Sequence, residues 1–327
     1  MPTYQRLIDS LKDPKEAQQF RIDLIRKIEA HTGRPLIVYA AGFLKPSPAA
    51  MLASMDESDM VGFSDLIEGI SGDAIDVFIH SPGGSGEAAE RIANLLRSNF
   101  KIVRFLVPHS AYSAATLLTL SGDEIGLSDK SALGPVDPQV LDPYTRRYVP
   151  AQALLKGFQE ARKILEREGP KAMPVYLPLL SKYDFTIFQI CENATKFAKK
   201  LAFDWLKNYM KIKSQRAARI VKFLADHNIQ LSHRRAIYIE KAKEIGLKIY
   251  DLRSDAQLNA DLWSLYSAVD CYFDRSNAIK LFENSRGVSW SKNISVQIEQ
   301  RIPDAPPVSP PPAPPEAMEE TSKVRSL

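Results

Sequence analysis

The sequence predicts an α/β protein whose sheet is largely parallel. Short apolar segments alternate with amphipathic segments between residues 32 and 127. Residues 36–40, 75–79 and 101–107 have the length and composition of buried strands. The segment that follows the second of these strands carries apolar residues at helical spacing, with charged residues on its other face. Strands that alternate with helices favour parallel pairing through helical crossovers.

The remaining elements are mainly helical. A further short strand is predicted at residues 124–127. The last part of the chain is rich in proline and then polar, which indicates a disordered tail. The composition predicts an N-terminal helical segment (1–31), an α/β core (32–170), a helical C-terminal extension packed on the core (171–285) and a Pro-rich disordered tail (286–327). Helices are predicted over residues 16–31, 59–69, 113–120, 154–168, 188–210, 216–227, 238–245 and 258–273.

Composition narrows the class of protein. A net charge of +4 in 327 residues argues against a dedicated nucleic-acid-binding protein, in which a strongly basic face is expected. The two cysteines lie far apart in the sequence, which predicts no metal-ligand cluster and favours a reducing compartment. The N-terminus lacks an apolar signal-peptide core, and no apolar run is long enough to cross a bilayer. We expect a cytoplasmic protein with no integral membrane segment and no cofactor or metal.

The first motif that carries chemistry is the turn Ser81-Pro-Gly-Gly84, which joins a predicted strand to a predicted helix. Paired glycines let the backbone turn sharply and present N–H groups at the start of the helix. Such a turn can bind a phosphate or a developing oxyanion. No Gly-Lys-Ser/Thr sequence follows, so a P-loop is disfavoured. A Pro-Gly-Gly sequence alone is equally consistent with an ordinary turn.

The second motif is Ser113, which follows a strand and a turn and opens a helix of small residues. The N–H groups at the start of a helix favour negative charge nearby. The small side chains of Ala114 and Ala115 let another backbone approach closely. The alternative is that Ser113 is simply a helix cap, since serine is a preferred capping residue. The chain has no Gly-x-Ser-x-Gly elbow, which disfavours an α/β-hydrolase.

The two motifs together resemble the Clp protease and signal-peptide-peptidase branch of the crotonase superfamily. A longer series of short segments is similar, in matching order, to the serine dehydrogenase proteinase family. The string Leu-Gly-Pro-Val-Asp-Pro-Gln at residues 133–139 is the most specific of them. The family name does not imply hydride chemistry, because the chain has no Gly-x-Gly-x-x-Gly fingerprint. The other similar segments are residues 32–39, 80–84, 107–109, 113, 179–183, 191–193 and 244–247.

The resemblance implies a Clp/crotonase-like α/β fold, a spiral of ββα units with a helical C-terminal part, and a homo-oligomer. It also implies that Ser113 is the nucleophile. The N–H groups of Gly83 and Ala114 would form the oxyanion hole, and Gly84 would shape the turn. The family usually has Gly-Gly after the serine, whereas this chain has Ala-Ala, and the added Cβ atoms would narrow the pocket.

The general base is the least defined part of the predicted site. A serine hydroxyl needs a base to take its proton. Where Clp proteases carry a histidine, this chain has Val-Asp-Pro at residues 136–138. Signal-peptide-peptidase relatives use a lysine, and the spacing favours Lys156, whose preceding leucines could form an apolar pocket that lowers its pKa. A solvent-facing lysine is the alternative. Other candidates for the base or for a group that orients it are His109, His233, Asp137, His80 and Lys130.

These observations predict a serine peptidase that cleaves peptide or protein substrates through a Ser113 acyl-enzyme, with a lysine as base. Two alternatives stay open. The first is a catalytically inactive crotonase-fold scaffold that binds peptides or partner proteins. The second is a thioester enzyme that uses the same glycine turn to polarise a thioester carbonyl, a reaction that needs no nucleophile at Ser113.

Overall fold

The centre of the molecule is a seven-stranded sheet in the order β11-β10-β1-β2-β3-β5-β9. The computed structural model describes residues 4–45 and 52–294. Strands β1, β2, β3, β5 and β9 run parallel to one another, while β10 and β11 add an antiparallel edge. Two small sheets pair β4 with β6 and β7 with β8. The strands are β1 Leu36–Ala41, β2 Ala74–His80, β3 Ile102–Leu106, β4 Ser110–Ala111, β5 Glu124–Leu127, β6 Ala132–Leu133, β7 Gln139–Leu141, β8 Tyr148–Pro150, β9 Ile249–Asp251, β10 Ala278–Asn284 and β11 Ser289–Asn293.

Helices cover both faces of this sheet. Alternate residues of β2 belong to two different hydrophobic cores, so Val77 lies in one and Phe78 in the other. The first core joins the sheet to α3, α4, α5, α8 and α9, and the second joins it to α2 and α12. The helices are α1 Tyr4–Ser10, α2 Pro14–Thr32, α3 Asp59–Ile67, α4 Gly86–Asn99, α5 Ala114–Thr119, α6 Ala151–Glu168, α7 Met173–Leu180, α8 Thr186–Asn208, α9 Ser214–Ala225, α10 His227–Gln230, α11 Ile239–Ile245 and α12 Ala256–Arg275.

The central strands form because their sequences are almost continuously apolar. Every residue of β1 is buried, as is every residue of β2 after Ala74. Such runs are typical of parallel strands that helices cover on both faces. The amphipathic helix α4 follows β2 directly, begins at the cap residue Ser85 and buries Ile92 and Leu96 against the sheet. The predicted parallel layout is therefore confirmed for this part of the chain.

The antiparallel edge was not predicted. The sequence placed residues 286–294 in the disordered tail, whereas strand β11 pairs with β10 there. The polar character of β10 hid it, because Lys280 and Glu283 are charged yet fully buried. Each is compensated by an ion pair, Lys280 with Asp59 and Glu283 with Arg21. The predicted Pro-rich segment that follows lies outside the described residues.

The N-terminal and C-terminal helical segments pack on the core within one unit that extends to Ile294. Helix α2 lies against α12, and both cover the second core. In the described ranges, no helix is both long and apolar enough to cross a bilayer. The fold brings the ends of β2 and β3 together, and the two motifs that were singled out in the sequence follow these strands.

Candidate active site

Ser113 occupies a strained turn between strand β4 and helix α5. Its backbone has φ 53° and ψ −121°, a left-handed conformation that costs a non-glycine residue about 1–3 kcal/mol. Neighbouring backbone bonds hold it there, because Tyr112 N–H donates to Ser81 O at 3.0 Å and Leu117 N–H donates to Ser113 O at 2.9 Å. Ser113 stands at the cap position, yet its side chain accepts no capping hydrogen bond from the helix. The turn therefore presents the hydroxyl rather than using it as a cap.

Gly83 lies directly against this turn. A Cβ atom on Gly83 would stand 2.7 Å from Ser113 Cβ and 2.8 Å from Ala114 N, so a side chain would push the two turns apart. Its φ of 93° is also a conformation that favours glycine. The Gly83 N–H donates to the Ser81 hydroxyl at a long 3.2 Å. Helix α5 begins at Ala114, so the N–H of Ala114 has no acceptor within that helix.

Gly84 packs against the Met55 backbone, on the side of the turn away from Ser113. A Cβ atom there would lie 2.2 Å from Met55 O, and its φ is 150°. Met55 N–H donates to Gly83 O at 2.6 Å, and Ser85 N–H donates to Met55 O at 2.9 Å. The glycine turn is therefore packed between the Met55 backbone on one side and Ser113 on the other.

The segment that carries Asp137 runs beside the serine turn. Strand β6 pairs with β4 in parallel, with Leu133 opposite Ala111. A Cβ atom on Gly134 would lie 2.8 Å from the Tyr112 ring, so this glycine packs directly on the residue before Ser113. The close approach explains why glycine stands in the motif at residues 133–139.

Two histidines share the carboxylate of Asp137. His233 Nδ1 lies 2.7 Å from Asp137 Oδ1, and His227 Nδ1 lies 3.1 Å from Asp137 Oδ2. Asp137 is buried, while both histidines keep about a quarter of their side-chain surface exposed. A carboxylate on Nδ1 fixes the ring and its tautomer and leaves Nε2 to take up a proton. The backbone places His233 here, because Ile237 pairs with Leu133.

His227 was missed in the sequence analysis. It stands at the start of the short helix α10, and its N–H donates to Gln152 Oε1 at 3.1 Å. The available signal was weak, since no sequence motif connects His227 with His233. Only the fold shows that both rings reach one carboxylate.

A second histidine pair lies among aromatic rings. His109 stacks on Tyr266 with ring centroids 5.0 Å apart, and its Nδ1 lies 2.7 Å from the Ser110 hydroxyl. Burial lowers its pKa. Burial, together with the nearby His109, also lowers the pKa of His80 to about 3. His80 lines a cavity of about 120 Å³ with Asp270, and among the described residues its Nδ1 has no hydrogen-bond partner.

The two lysine candidates have different surroundings. Lys156 is exposed, and its Nζ lies 3.1 Å from Asn228 Oδ1 at a cavity of about 450 Å³ that His227 also lines. The expected apolar pocket does not surround it, because Leu154 and Leu155 pack instead into a small cluster with Val140 and Cys191. Lys130 lies over the ring of Trp263 at 4.2 Å, a cation–π contact.

Among the residues that the structure describes, no group of three or more His, Cys, Asp or Glu side chains is placed to hold a metal ion. The fold thus places the glycine turn against Ser113, and it places two histidines on the Asp137 carboxylate.

Comparison with known proteins identifies the family of the chain. A family model of ClpP-like SDH-type serine proteinases matches residues 14–266. An uncharacterised protein of Methanocaldococcus jannaschii is 31% identical over 175 residues, which is 54% of this chain and 53% of that protein. A second uncharacterised protein of the same organism is 28% identical over 175 residues, which is 54% of this chain and 51% of that protein. The chain therefore spans about half the length of the curated relatives it matches.

Two solved structures are similar to the chain at low sequence identity. A membrane-bound stomatin-specific protease is 14% identical with a TM-score of 0.41, over 64% of this chain and 79% of that chain. ClpP1 from Listeria monocytogenes is 13% identical with a TM-score of 0.36, over 72% of this chain and 97% of that chain. The family match covers most of the described residues and confirms the resemblance and the fold class that the motifs indicated. The chain belongs to the family of ClpP-like SDH-type serine proteinases.

Proposed function

We propose that the chain is a serine peptidase in which Ser113 attacks the carbonyl carbon of a peptide bond. The observation that carries this proposal is the contact between the two turns. Ser113 is held in a strained conformation that presents its hydroxyl, and Gly83 packs directly against it. A strained strand-to-helix turn is the arrangement by which other hydrolases expose a nucleophilic serine.

The N–H groups of Gly83 and Ala114 are the proposed oxyanion hole. Both belong to backbone that lies beside Ser113, and a donor is useful only where charge develops in the tetrahedral intermediate. In the resting site, Gly83 N–H donates to the Ser81 hydroxyl. An oxyanion would accept a stronger, charge-assisted bond and replace this long contact.

For the general base we propose His233, with Asp137 as the residue that orients it. The contact of 2.7 Å on Nδ1 is the shorter of the two that Asp137 makes with histidines. This choice differs from the lysine favoured by the sequence. Lys156 is exposed to water and bonds Asn228, and the two leucines before it pack into a separate cluster.

The proposed reaction proceeds in two steps. His233 Nε2 takes the proton of the Ser113 hydroxyl as Oγ bonds to the carbonyl carbon, and the imidazolium then protonates the leaving amine. In deacylation the same nitrogen takes a proton from a water molecule as the water oxygen bonds to the ester carbonyl carbon. The C–Oγ bond then breaks, the imidazolium returns the proton to Ser113 Oγ, and the acid is released. In both steps the Asp137 carboxylate accepts from the Nδ1–H of His233 and stabilises the imidazolium.

The proposed substrate is a peptide or protein, and the proposed assembly is a homo-oligomer in the cytoplasm. Support for the assembly comes from large apolar side chains that are exposed on the β7–β8 hairpin, on helix α7 and at the residue before helix α8. Where such exposed side chains form one patch, the patch commonly marks an interface. Light scattering on the purified chain tests this part. The exposed side chains include Leu141, Tyr144, Tyr148, Val175, Leu177 and Phe185.

Labelling with a fluorophosphonate probe tests the nucleophile. We expect the wild type to be labelled and Ser113→Ala to be unlabelled. Ser121→Ala is the matched control, because the Ser121 hydroxyl is buried and donates to Leu118 O within the molecule. This control should label at the wild-type rate, and peptide mapping should place the adduct on Ser113. A folded wild type that is not labelled, or an adduct on another residue, would contradict the proposal and favour the scaffold or thioester alternatives.

A further inference from the structure

A buried ion cluster lies behind the glycine turn, on the side away from Ser113. The side chain of Lys280 is fully buried, and its Nζ lies 2.8 Å from Asp56 Oδ2 and 2.9 Å from both carboxylate oxygens of Asp59. Lys292 also pairs with Asp59. The Tyr39 hydroxyl donates to Asp59 Oδ2 at 2.9 Å. Buried charges contribute little net stability, but a fully paired cluster can fix a local geometry.

The cluster fixes the backbone of residues 55–59 as well as the side chains. Asp56 N–H donates to Asp59 Oδ2 at 3.1 Å, and Asp59 N–H donates to Asp56 O at 3.0 Å. Asp56 is thus held through its carboxylate by Lys280 and through its main chain by Asp59. The preceding residue, Met55, is buried in the first core.

Met55 connects the cluster to the glycine turn. Its N–H binds the Gly83 carbonyl, its carbonyl accepts from the Ser85 N–H, and no room remains for a side chain on Gly84 between them. The opposite side of the turn contacts Ser113. A movement of Met55 therefore changes the position of Gly83 relative to Ser113.

We propose that Lys280, Asp56 and Asp59 are positioning residues that hold the glycine turn against Ser113 through the Met55 backbone. The inference rests on the proposed function, since it assigns the cluster to the oxyanion hole of that same site. Donors of an oxyanion hole act only when they are aligned with the developing charge. Loosening the cluster should therefore slow the attack by Ser113 without weakening the initial binding of a ligand.

The sharpest variant is Asp56→Asn. It removes one charge from the cluster at a half-exposed side chain and keeps its size, so the fold should persist. Glu57→Gln is the matched control, because it makes the same change one residue later at an exposed carboxylate that pairs with Arg91 outside the cluster. Lys280→Met is a stronger perturbation and carries a risk of unfolding, so it serves as the second variant.

The first readout is fluorophosphonate labelling as a function of probe concentration. In Asp56→Asn we expect the maximal labelling rate to fall about tenfold. This is less than the effect of removing one oxyanion donor, because the Gly83 N–H would be misaligned and not lost. The half-saturating probe concentration should stay at the wild-type value, and Glu57→Gln should match the wild type in both. A merely structural role would lower the thermal midpoint without this split between rate and binding. Equal maximal rates in Asp56→Asn and Glu57→Gln would overturn the inference.

Hydrogen exchange separates a failure of this inference from a failure of the proposed peptidase. The amides of Met55 and Ser85 report the two bonds that hold the turn. They should exchange faster in Asp56→Asn than in Glu57→Gln. If the wild type is not labelled, the peptidase proposal fails, and exchange alone decides whether the cluster holds the turn. Unchanged exchange at both amides in Asp56→Asn would overturn the inference in either case.

Discussion

The molecule contains two pairs of histidines, and they differ in what holds them. His80 and His109 lie among aromatic rings, and burial lowers the pKa of both. His227 and His233 bind opposite oxygens of one carboxylate and remain partly exposed. Packing against aromatic rings holds the first pair, whereas hydrogen bonds to a carboxylate orient the second pair.

The difference shows that closeness to Ser113 along the chain is a poor guide to which histidine can act as a general base. His109 stands four residues before Ser113, yet its ring stacks on Tyr266 and its Nδ1 meets the Ser110 hydroxyl. His233 lies in the C-terminal half and is brought in by the pairing of Ile237 with Leu133. A general base needs an orienting partner on one nitrogen and access on the other. Of these four histidines, only His227 and His233 have a carboxylate on the ring.

The largest expected effect is that of His233→Gln. We expect the rate of fluorophosphonate labelling to fall about 10³-fold, within the range that general-base catalysis supplies. The measurement is the labelling rate at neutral pH. His109→Gln is the control from the first pair and should leave the rate close to that of the wild type. A greater loss in His227→Gln than in His233→Gln would instead assign the base to the neighbouring histidine.

Asp137→Asn should have the next largest effect. An amide in place of the carboxylate removes the charge that stabilises the imidazolium and can turn an N–H toward a ring nitrogen. We expect labelling to slow by roughly 10²-fold, less than after loss of the imidazole, because the amide oxygen can still accept from one ring. The double variant Ser113→Ala with Asp137→Asn gives the labelling rate in the absence of the nucleophile. A wild-type rate in Asp137→Asn would show that the carboxylate only supports the fold.

The first histidine pair should instead affect stability as a function of pH. The unfolded chain protonates His80 near the ordinary pKa of 6.5, whereas the folded chain does so only near 3. Below pH 6.5 the unfolded state therefore binds more protons, and the free energy of unfolding falls by up to about 1.4 kcal/mol per pH unit as the pH drops toward 3. His80→Phe removes this dependence, so its urea-unfolding free energy should decline less steeply between pH 6.5 and pH 4. A slope equal to that of the wild type would contradict the burial of a neutral imidazole.

The smallest expected effect is that of Lys156→Met. The exposed Lys156 amine hydrogen-bonds only Asn228 in the described part of the chain, and exposed polar contacts are worth about 1 kcal/mol or less. The labelling rate should stay within about a factor of five of the wild type. A loss as large as that in His233→Gln would restore the serine–lysine mechanism that the sequence suggested and reject the histidine assignment.

Much of the fold could be predicted from apolar patterns. Strand β5 was predicted at its observed bounds, and β1, β2 and α4 follow from continuous or periodic apolar runs. Strand β10 could not be predicted, because Lys280 and Glu283 read as surface residues until their partners are known. The β7–β8 hairpin lies in a segment with exposed Leu141 and Tyr148, whose pattern gives no burial signal.

Some parts of the candidate site could be predicted from local sequence, and others could not. The glycine turn and Ser113 follow their strands directly, so local sequence was sufficient to single them out. The strained backbone of Ser113 has no local signature in this chain, and it depends on the contact with Gly83. The orienting role proposed for Asp137 needs His227 and His233, and His233 is brought to it by the pairing of Ile237 with Leu133. Local sequence patterns do not predict backbone pairing between residues that are far apart in the chain, such as Leu133 and Ile237.

A crystal structure of the fluorophosphonate adduct tests the central claim most directly. We predict a covalent bond from Ser113 Oγ to phosphorus, with the phosphonyl oxygen about 2.7–3.1 Å from the N–H groups of Gly83 and Ala114. His233 Nε2 should lie within hydrogen-bond reach of Ser113 Oγ, with Nδ1 still on Asp137. An adduct on another residue, a phosphonyl oxygen that points to solvent, or Lys156 Nζ in the place of His233 would contradict the account.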